Sequence, residues 1–257
     1  MFLSILFIVN NLAGFKQMPS QTNGSATHSA NIAANLRQIN TRIDELCHQY
    51  HRDPADIRLL AVSKTKPAED IRSAFNAGQH CFGENYLQEA LQKIRALHDL
   101  PIEWHFIGAI QSNKTRELAE NFAWVHSVDR LKIARRLSEQ RAESMPALNI
   151  CLQVNISEET SKAGLMLNEL TGLVAEVVQL PNISLRGLMA IPAKADTLSA
   201  QRATFTKIRQ ALKTLQKTQP ALDTLSMGMS NDMEAAIAEG STILRIGTAI
   251  FGARNGT

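Results

Sequence analysis

Residues 225–246 read LSMGMSNDMEAAIAEGSTILRI, and their pattern decides the fold. Short apolar runs at 225–227 and 243–246 predict two buried strands, while the segment 232–239 between them predicts a helix. Asn231 and Asp232 are residue types that cap the start of a helix, and Gly240 stands where a helix commonly ends on glycine. A strand, a helix and a second strand in this order form the unit of a parallel sheet.

The same alternation runs through most of the chain. Apolar, β-branched or aromatic runs predict eight strands, at 59–62, 81–83, 104–107, 124–128, 150–154, 185–189, 225–227 and 243–246. Amphipathic segments predict helices at 30–50, 68–77, 85–97, 112–121, 130–143, 167–179, 197–217 and 232–239. Eight such units predict an α/β fold, a single (β/α)8 TIM barrel, with the helix at 30–50 covering the gap after the last strand. A doubly wound open sheet is the alternative, but no G-x-G-x-x-G follows the first strand.

The N-terminal segment differs from the rest of the chain. Residues 2–9 are apolar, but eight residues cannot cross a bilayer, and no Lys or Arg precedes them as in a signal peptide. Gly, Ser, Thr, Asn and Gln then dominate up to His28, which predicts a disordered tail. Because Met18 is an internal methionine, we interpret residues 1–17 as an over-extended start rather than a membrane anchor. We therefore assign 30–257 to one barrel domain and 1–29 to a disordered or mis-assigned extension.

Composition excludes several classes of protein. Hydrophobic residues make up 44% and charged residues 20% of the 257, which is enough for a sizeable core. The net charge is only 27 − 24 = +3, so a nucleic-acid partner is not expected. The cysteines, Cys47, Cys81 and Cys151, are odd in number and form no C-x-x-C pair, so we expect no disulfide framework and no metal site. A reducing, cytoplasmic setting and no membrane role fit best.

Polar residues gather where the predicted strands end, which in a barrel is the face that carries active sites. The turn containing Ser230 follows the seventh strand, and Gly247 and Thr248 follow the eighth. Either turn alone is ordinary, but the loops after strands seven and eight are the frequent phosphate site of such barrels, so together they favour a bound phosphate.

Lys64 follows the first predicted strand, two residues after its end. A lysine amine is a nucleophile only when neutral, and burial or a nearby cation such as Lys66 or Arg245 would lower its pKa. A Schiff-base lysine opposite a phosphate site suits pyridoxal 5′-phosphate. The residues alone leave two alternatives open: a class I aldolase acting on a sugar phosphate, and an ordinary solvated lysine.

Five long motifs carry a resemblance to a known family. They read LLAVSKTKP at 59–67, FGENYLQE at 82–89, WHFIGAIQSNK at 104–114, LRGLMAI at 185–191, and the stretch 226–252 that includes SMGMSND and RIGTAIFG. The chain from about residue 30 to 254 resembles the pyridoxal phosphate homeostasis proteins, whose single (β/α)8 barrel is similar to the N-terminal domain of alanine racemase. The resemblance implies that pyridoxal 5′-phosphate is bound through the lysine of the V-S-K motif, Lys64.

The resemblance also implies roles for other residues. RIG is similar to a racemase stretch whose arginine faces the pyridine nitrogen, which implies that role for Arg245. The resemblance also implies that Ser230, Gly247 and Thr248 contact the phosphate of the cofactor. Residues in family motifs near the cofactor complete the predicted set: Asn85, His105 and Met189. Ala109 and Ile110 depart from the bulkier or proline-containing pair of many members, which bears on loop shape only.

The expected function is cofactor handling rather than catalysis. The racemase takes a second base, a tyrosine, from a C-terminal domain, and we expect no such domain here. The resemblance therefore implies a monomer that buffers pyridoxal phosphate or delivers it to apo-forms of pyridoxal phosphate enzymes. The alternative is a small pyridoxal phosphate-dependent racemase or decarboxylase with His105, Tyr86 or Lys66 as second base. Lys162, in the SKAG segment, is a candidate second cation near the phosphate.

Overall fold

The computed structural model describes residues 22–156 and 163–253, with side chains from residue 28 onward. Eight parallel strands form a closed barrel in chain order, with β1 paired to β8, which confirms the predicted TIM barrel. The strands are β1 Arg58–Val62, β2 Cys81–Glu84, β3 Glu103–Phe106, β4 Trp124–Val128, β5 Leu148–Val154, β6 Ile183–Ala190, β7 Thr224–Ser226 and β8 Ile243–Ile246.

Helices alternate with the strands on the outside of the barrel, as predicted. They are α1 Thr22–Gln49, α2 Ala68–Asn76, α3 Leu87–Ala96, α4 Thr115–Asn121, α5 Leu131–Gln140, α6 Leu170–Val177, α7 Leu198–Gln216, α8 Met233–Ala238 and α9 Thr248–Phe251. None of the helices in the described ranges is both long and apolar enough to span a bilayer.

Helix α1 covers the region after the last strand. Asn35 donates from Nδ2 to the carbonyl oxygen of Ile250 in α9 (2.9 Å), and the Tyr50 hydroxyl donates to Glu234 in α8 (2.9 Å). Within the described residues β8 is followed by the short α9, and α1 takes the place of an eighth outer helix, as the sequence pattern indicated.

The predicted boundary at residue 30 is wrong for α1. The helix begins at Thr22, so residues 22–29, assigned to a disordered extension, are helical. The His28 ring lies 3.0 Å from the Asp70 carboxylate, and the Ser29 and Ser73 hydroxyls are 2.8 Å apart, so contacts with α2 hold this turn in place. Residues 1–21 lie outside the described part of the chain.

Strand residues alternate between two cores. Leu59 and Ala61 pack outward against the helices, whereas Leu60 between them belongs to a separate cluster inside the barrel. This alternation follows from the two-residue period of a strand. The inner cluster also contains Ile107, Trp124, Cys151, Met189 and Ile243. The barrel is therefore packed with side chains, and a ligand can enter only at an end.

Candidate functional site

A cleft of 540 Å³ opens where strands β1, β2, β3, β6, β7 and β8 end. It is lined by Val62, Lys64, Asn85, Ile107, Ile191, Met229, Ser230, Asn231, Arg245, Gly247, Thr248 and Ala249. Six of the eight residues predicted to bind cofactor are in this set: Lys64, Asn85, Ser230, Arg245, Gly247 and Thr248. The carboxyl ends of parallel strands meet at one face, and this brings together residues that are far apart in the sequence.

The backbone on both sides of Lys64 is fixed by side chains from neighbouring elements. The Ser63 hydroxyl donates to Glu84 Oε1 (2.6 Å), and the Thr65 N–H donates to Glu89 Oε1 (2.6 Å). Thr65 has a φ of 63°, a left-handed conformation that is uncommon for a β-branched residue. The bond to Glu89 stabilises this turn, which sets the direction in which Lys64 leaves the strand.

Lys93 joins these two carboxylates. Its buried Nζ lies 2.8 Å from Glu84 Oε1 and 2.5 Å from Glu89 Oε1, and it donates to the carbonyl oxygen of Ser63 (2.7 Å). Burial raises the pKa of Glu84, and the charge of Lys93 opposes that shift. The cluster of Glu84, Glu89 and Lys93, which we call the Lys93 clamp, lies behind Lys64.

Arg245 forms the floor of the cleft. Its Nη1 donates to the carbonyl oxygen of Ser226 (2.5 Å) and to the Ser226 hydroxyl (2.9 Å), and its Nη2 donates to the carbonyl oxygen of Ala190 (2.9 Å). Burial lowers the pKa of Arg245 to about 10, so the side chain stays charged at neutral pH. A guanidinium has five N–H donors. The three hydrogen bonds therefore leave two donors without a partner among the described residues.

Two turns at the cleft provide hydroxyls and backbone N–H groups. Asp232 Oδ1 accepts from the N–H of Met229 (2.5 Å), which closes the turn that presents Ser230. Thr248 begins the four-residue α9. The N–H groups of Ile250 and Phe251 donate to the carbonyl oxygen of Gly247 (2.9 and 3.0 Å), so the N–H groups of Thr248 and Ala249 are the ones that α9 offers to a ligand. The arrangement suits an anion such as phosphate.

Asn85 offers an acceptor to a ligand. Its Oδ1 is buried at the cleft without a hydrogen-bond partner among the described residues. A buried acceptor left unpaired costs about 1–3 kcal/mol, so a ligand that donates to it would be stabilised. The spare donors of Arg245 and this acceptor fit a heterocycle that carries an acceptor nitrogen and a hydroxyl.

His105 and Met189 do not line the cleft. His105 is fully buried inside the barrel, and its two ring nitrogens lie 2.8 Å from Glu103 Oε1 and 2.9 Å from His126 Nε2. Met189 is fully buried in the inner cluster. The structure therefore places both below the lining of the cleft, and their part in binding a cofactor stays a prediction.

The other candidates lie elsewhere. Lys66 Nζ donates to the carbonyl oxygens of Phe251 (3.0 Å) and Ala253 (2.8 Å) and does not line the cleft. Tyr86 is 55% exposed and lines a neighbouring cavity rather than this one. Lys162 lies outside the described residues.

Sequence reasoning missed the Lys93 clamp and the side chains around Arg245. Glu84 was visible at a strand end, but nothing in the sequence distinguishes Lys93 from an exposed helical lysine. Ser226 stands in the quoted SMGMSND motif, although no single-sequence signal marks it as a partner of Arg245. Both became apparent only from the contacts.

One group of potential metal ligands occurs in the described ranges. Donor atoms of Cys81, Glu103 and His105 lie within 4.8 Å of one another. Arg58 Nη1 is 2.6 Å from Glu103 Oε1 and already supplies a positive charge there, and burial raises the pKa of the Cys81 thiol to about 11. These features disfavour a cation, and the absence of a metal stays a prediction.

Comparison with known proteins identifies the family. The family model for the alanine racemase N-terminal domain matches residues 28–255. The pyridoxal phosphate homeostasis protein of Pseudomonas aeruginosa is 59% identical over 224 residues, which cover 87% of this chain and 96% of the relative. The Escherichia coli K12 protein of the same name is 52% identical over 227 residues, covering 87% and 97%.

A solved structure shows the same barrel. The structure of PipY from Synechococcus elongatus PCC7942 with PLP bound superposes with a TM-score of 0.76 at 39% identity, covering 86% of this chain and all of that one. On these matches, the chain belongs to the family of pyridoxal phosphate homeostasis proteins, within the wider family of the alanine racemase N-terminal domain.

Proposed function

We propose that this protein binds pyridoxal 5′-phosphate as a Schiff base on Lys64 and buffers or delivers it inside the cell, without robust catalysis of its own. The names of its relatives and the PLP bound to PipY support the cofactor. The observation that carries the proposal for this chain is the cleft itself. Lys64 and the buried Arg245 line the same cleft as Ser230 and Thr248.

Each residue has a distinct role in the proposal. The bound cofactor supplies an aldehyde whose carbon bonds to the Lys64 nitrogen with release of one water, and hydrolysis reverses this. Arg245 donates to the pyridine nitrogen with one of its spare N–H groups. Ser230, Gly247 and Thr248 hold the phosphate, and Asn85 Oδ1 accepts from a ring substituent.

The side chains around the cleft favour a carrier over an enzyme. Amino-acid racemisation or decarboxylation needs a second group that moves a proton. Of the three candidates for that group, His105 is buried beneath the cleft, Lys66 is bonded to backbone carbonyls near residue 252, and Tyr86 lines another cavity. The cationic Arg245 at the ring nitrogen also disfavours protonation of the ring, which weakens it as an electron sink.

The binding site can be tested directly. Purified protein mixed with pyridoxal 5′-phosphate should show a near-visible absorbance band, and borohydride reduction followed by peptide mapping should place one stable adduct on Lys64. We expect Lys64→Ala to lose the adduct, whereas Lys66→Ala, a lysine two residues away that does not line the cleft, keeps it. An adduct on another lysine in the wild type, or no band at all, would overturn the proposal.

Delivery needs a separate test. The protein carrying cofactor is mixed with the apo-form of a pyridoxal phosphate enzyme in the presence of a phosphatase that destroys free cofactor. If the enzyme recovers activity, the cofactor has passed to it without being released into solution. If it does not recover, the delivery role is wrong and the buffering role remains. Turnover of an amino-acid panel that disappears in Lys64→Ala would instead favour the catalytic alternative.

A further inference from the structure

A chain of hydrogen bonds crosses the inside of the barrel beneath the cleft. Arg245 Nη1 donates to the Ser226 hydroxyl oxygen (2.9 Å), which lies 2.8 Å from His126 Nδ1. His126 Nε2 is 2.9 Å from His105 Nδ1, and His105 Nε2 is 2.8 Å from Glu103 Oε1. Ser226 and both imidazoles are fully buried, so water cannot replace these partners.

The two ends of the chain fix its direction. A guanidinium can only donate, so the Ser226 oxygen accepts from Arg245. At the other end Glu103 is ionised, because its hydrogen bond with His105, opposed by partial burial, lowers the pKa of that carboxyl to about 2. An ionised carboxylate only accepts, so His105 Nε2 carries a hydrogen and donates.

Burial lowers the pKa of His105, although Glu103 opposes this shift, and burial lowers the pKa of His126 well below its usual range. Both shifts favour neutral imidazoles. A neutral ring has one N–H, so His105 Nδ1 accepts from His126 Nε2, and His126 Nδ1 accepts from the Ser226 hydroxyl. Every hydrogen bond then points the same way, from Arg245 through Ser226, His126 and His105 to Glu103.

Neighbouring side chains hold the Glu103 end of the chain in place. The His105 ring is stacked on Trp124, with centroids 5.4 Å apart and planes 4° from parallel. Arg58 Nη1 donates to Glu103 Oε1 (2.6 Å), which fixes the final acceptor. With His105 and Glu103 held, the Ser226 hydroxyl hydrogen is directed to His126, and its oxygen lone pairs face Arg245.

We propose that Ser226 and His126 are positioning residues, which orient the Arg245 guanidinium in the cleft through hydrogen bonds donated in one direction from Arg245 to Glu103. Their role toward the cofactor rests on the proposed function. If either imidazole were doubly protonated, the hydrogen bond between His126 and Ser226 would reverse, and the Ser226 hydroxyl hydrogen would lose its acceptor.

The direction of the chain can be tested without cofactor. In nitrogen-15-labelled protein, long-range proton–nitrogen spectra distinguish neutral Nε2–H, neutral Nδ1–H and charged imidazoles. Signals of His105 and His126 are assigned by their loss in His105→Gln and His126→Gln. We expect both rings to be neutral Nε2–H tautomers at about pH 7, and to take up a second proton only at a lower pH than an ordinary histidine does. A charged ring or an Nδ1–H tautomer at either position would overturn the proposal.

Ser226→Ala tests the positioning itself. It removes the hydroxyl acceptor of Arg245 Nη1 and leaves the backbone carbonyl oxygens of residues 226 and 190 in place as acceptors. We expect the Nε–H signal of Arg245 to broaden in ligand-free protein and the affinity for pyridoxal 5′-phosphate to fall about tenfold. Ser241→Ala is the matched control, because Ser241 is an equally buried serine whose hydroxyl donates to the Met227 carbonyl oxygen (2.7 Å) and which does not contact Arg245.

The outcomes separate this proposal from the proposed function. If Ser226→Ala leaves the Arg245 signal sharp and the affinity unchanged, or if Ser241→Ala has the same effect, the positioning role is wrong. If the wild type binds no pyridoxal phosphate, the proposed function fails, whereas the tautomers and the Arg245 signal of the ligand-free protein still decide whether the chain orients the guanidinium.

Discussion

The side-chain amine of Lys93 lies 2.7 Å from the carbonyl oxygen of Ser63, the residue immediately before Lys64. The same amine is paired with Glu84, whose carboxylate accepts from the Ser63 hydroxyl, and with Glu89, which accepts from the N–H of Thr65. One buried cation thus determines the backbone on both sides of Lys64. A lysine that carries a ligand needs such support, since its own long side chain is flexible.

We expect Lys93→Met to destabilise the fold strongly. The substitution keeps the apolar stem but leaves the fully buried Glu84 carboxylate without its cation, which costs about 3–5 kcal/mol in the free energy of unfolding. Urea unfolding measures this change. Lys132→Met on the exposed side of α5 is the control and should change the free energy by less than about 0.5 kcal/mol.

The double variant Lys93→Met with Glu84→Gln should lose less free energy of unfolding than the two single variants lose in sum, because the two side chains interact. Equal stability of Lys93→Met and Lys132→Met would contradict the structural role of the Lys93 clamp.

Acid should destabilise the protein in two steps. Burial lowers the pKa of His105 and His126 in the folded protein. As pH falls below about 6.5, these histidines take up protons in the unfolded chain before they do so in the folded chain, so the free energy of unfolding decreases. The pKa of Glu103 is lowered from 4.5 to about 2, chiefly by its hydrogen bond with His105, so its contribution is present above about pH 4.5 and is lost as pH falls toward 2.

Free energies of unfolding measured across this range in the wild type and in Glu103→Gln test the assignment. Between about pH 4.5 and 2, the free energy of unfolding should change less steeply with pH in Glu103→Gln than in the wild type. An unchanged slope would mean that other carboxylates carry the acid transition.

Gly228→Ala should disturb the turn that presents Ser230. Gly228 has a φ of +95°, and a Cβ there would meet the Ala236 Cβ at 2.5 Å. Gly78 is a matched control, with a φ of +96° and no heavy atom within 4 Å of an added Cβ. Both substitutions strain the backbone by about 1–2 kcal/mol, but only Gly228→Ala adds overpacking of about 1–3 kcal/mol.

Thermal unfolding and cofactor titration of both variants distinguish these effects. Gly228→Ala should unfold at a lower temperature than Gly78→Ala and bind pyridoxal phosphate more weakly, while Gly78→Ala binds normally. Identical behaviour would show that Ala236 moves aside without consequence for the cleft.

The phosphate contacts can be isolated by comparing two ligands. Thr248→Ala and Ser230→Ala should each weaken binding of pyridoxal 5′-phosphate about tenfold, because each removes a hydroxyl donor to a charged group. Binding of pyridoxal, which lacks the phosphate, should change by less than about twofold. If both ligands are weakened equally, these hydroxyls act on the ring or on the fold instead.

The sequence predicted most of the fold because the strands are short, apolar runs between amphipathic helices. All eight predicted strands are present, with ends that differ by two residues at most. The start of α1 was missed because the residues after Thr22 are small and polar and carry no apolar repeat. Their helix depends on contacts such as Ser29 with Ser73, which a single sequence does not reveal.

The two predicted site residues that do not line the cleft share one physical cause. Ile107 and Ile191 line the cleft directly after the ends of β3 and β6, and His105 and Met189 precede them by two positions within those strands. Residues two apart point to the same side of a strand but differ in depth by about 6.6 Å. The sequence pattern therefore indicates which side of each strand faces the inside of the barrel, but it does not show the depth at which the cleft ends.

The pairing of β1 with β8 has a consequence for the order in which the protein is made. Lys64 follows the first strand and Arg245 lies on the last, so these two residues of the cleft are separated by about 180 residues of synthesis. The barrel cannot close along this seam until β8 has left the ribosome. The cleft is therefore completed only near the end of translation.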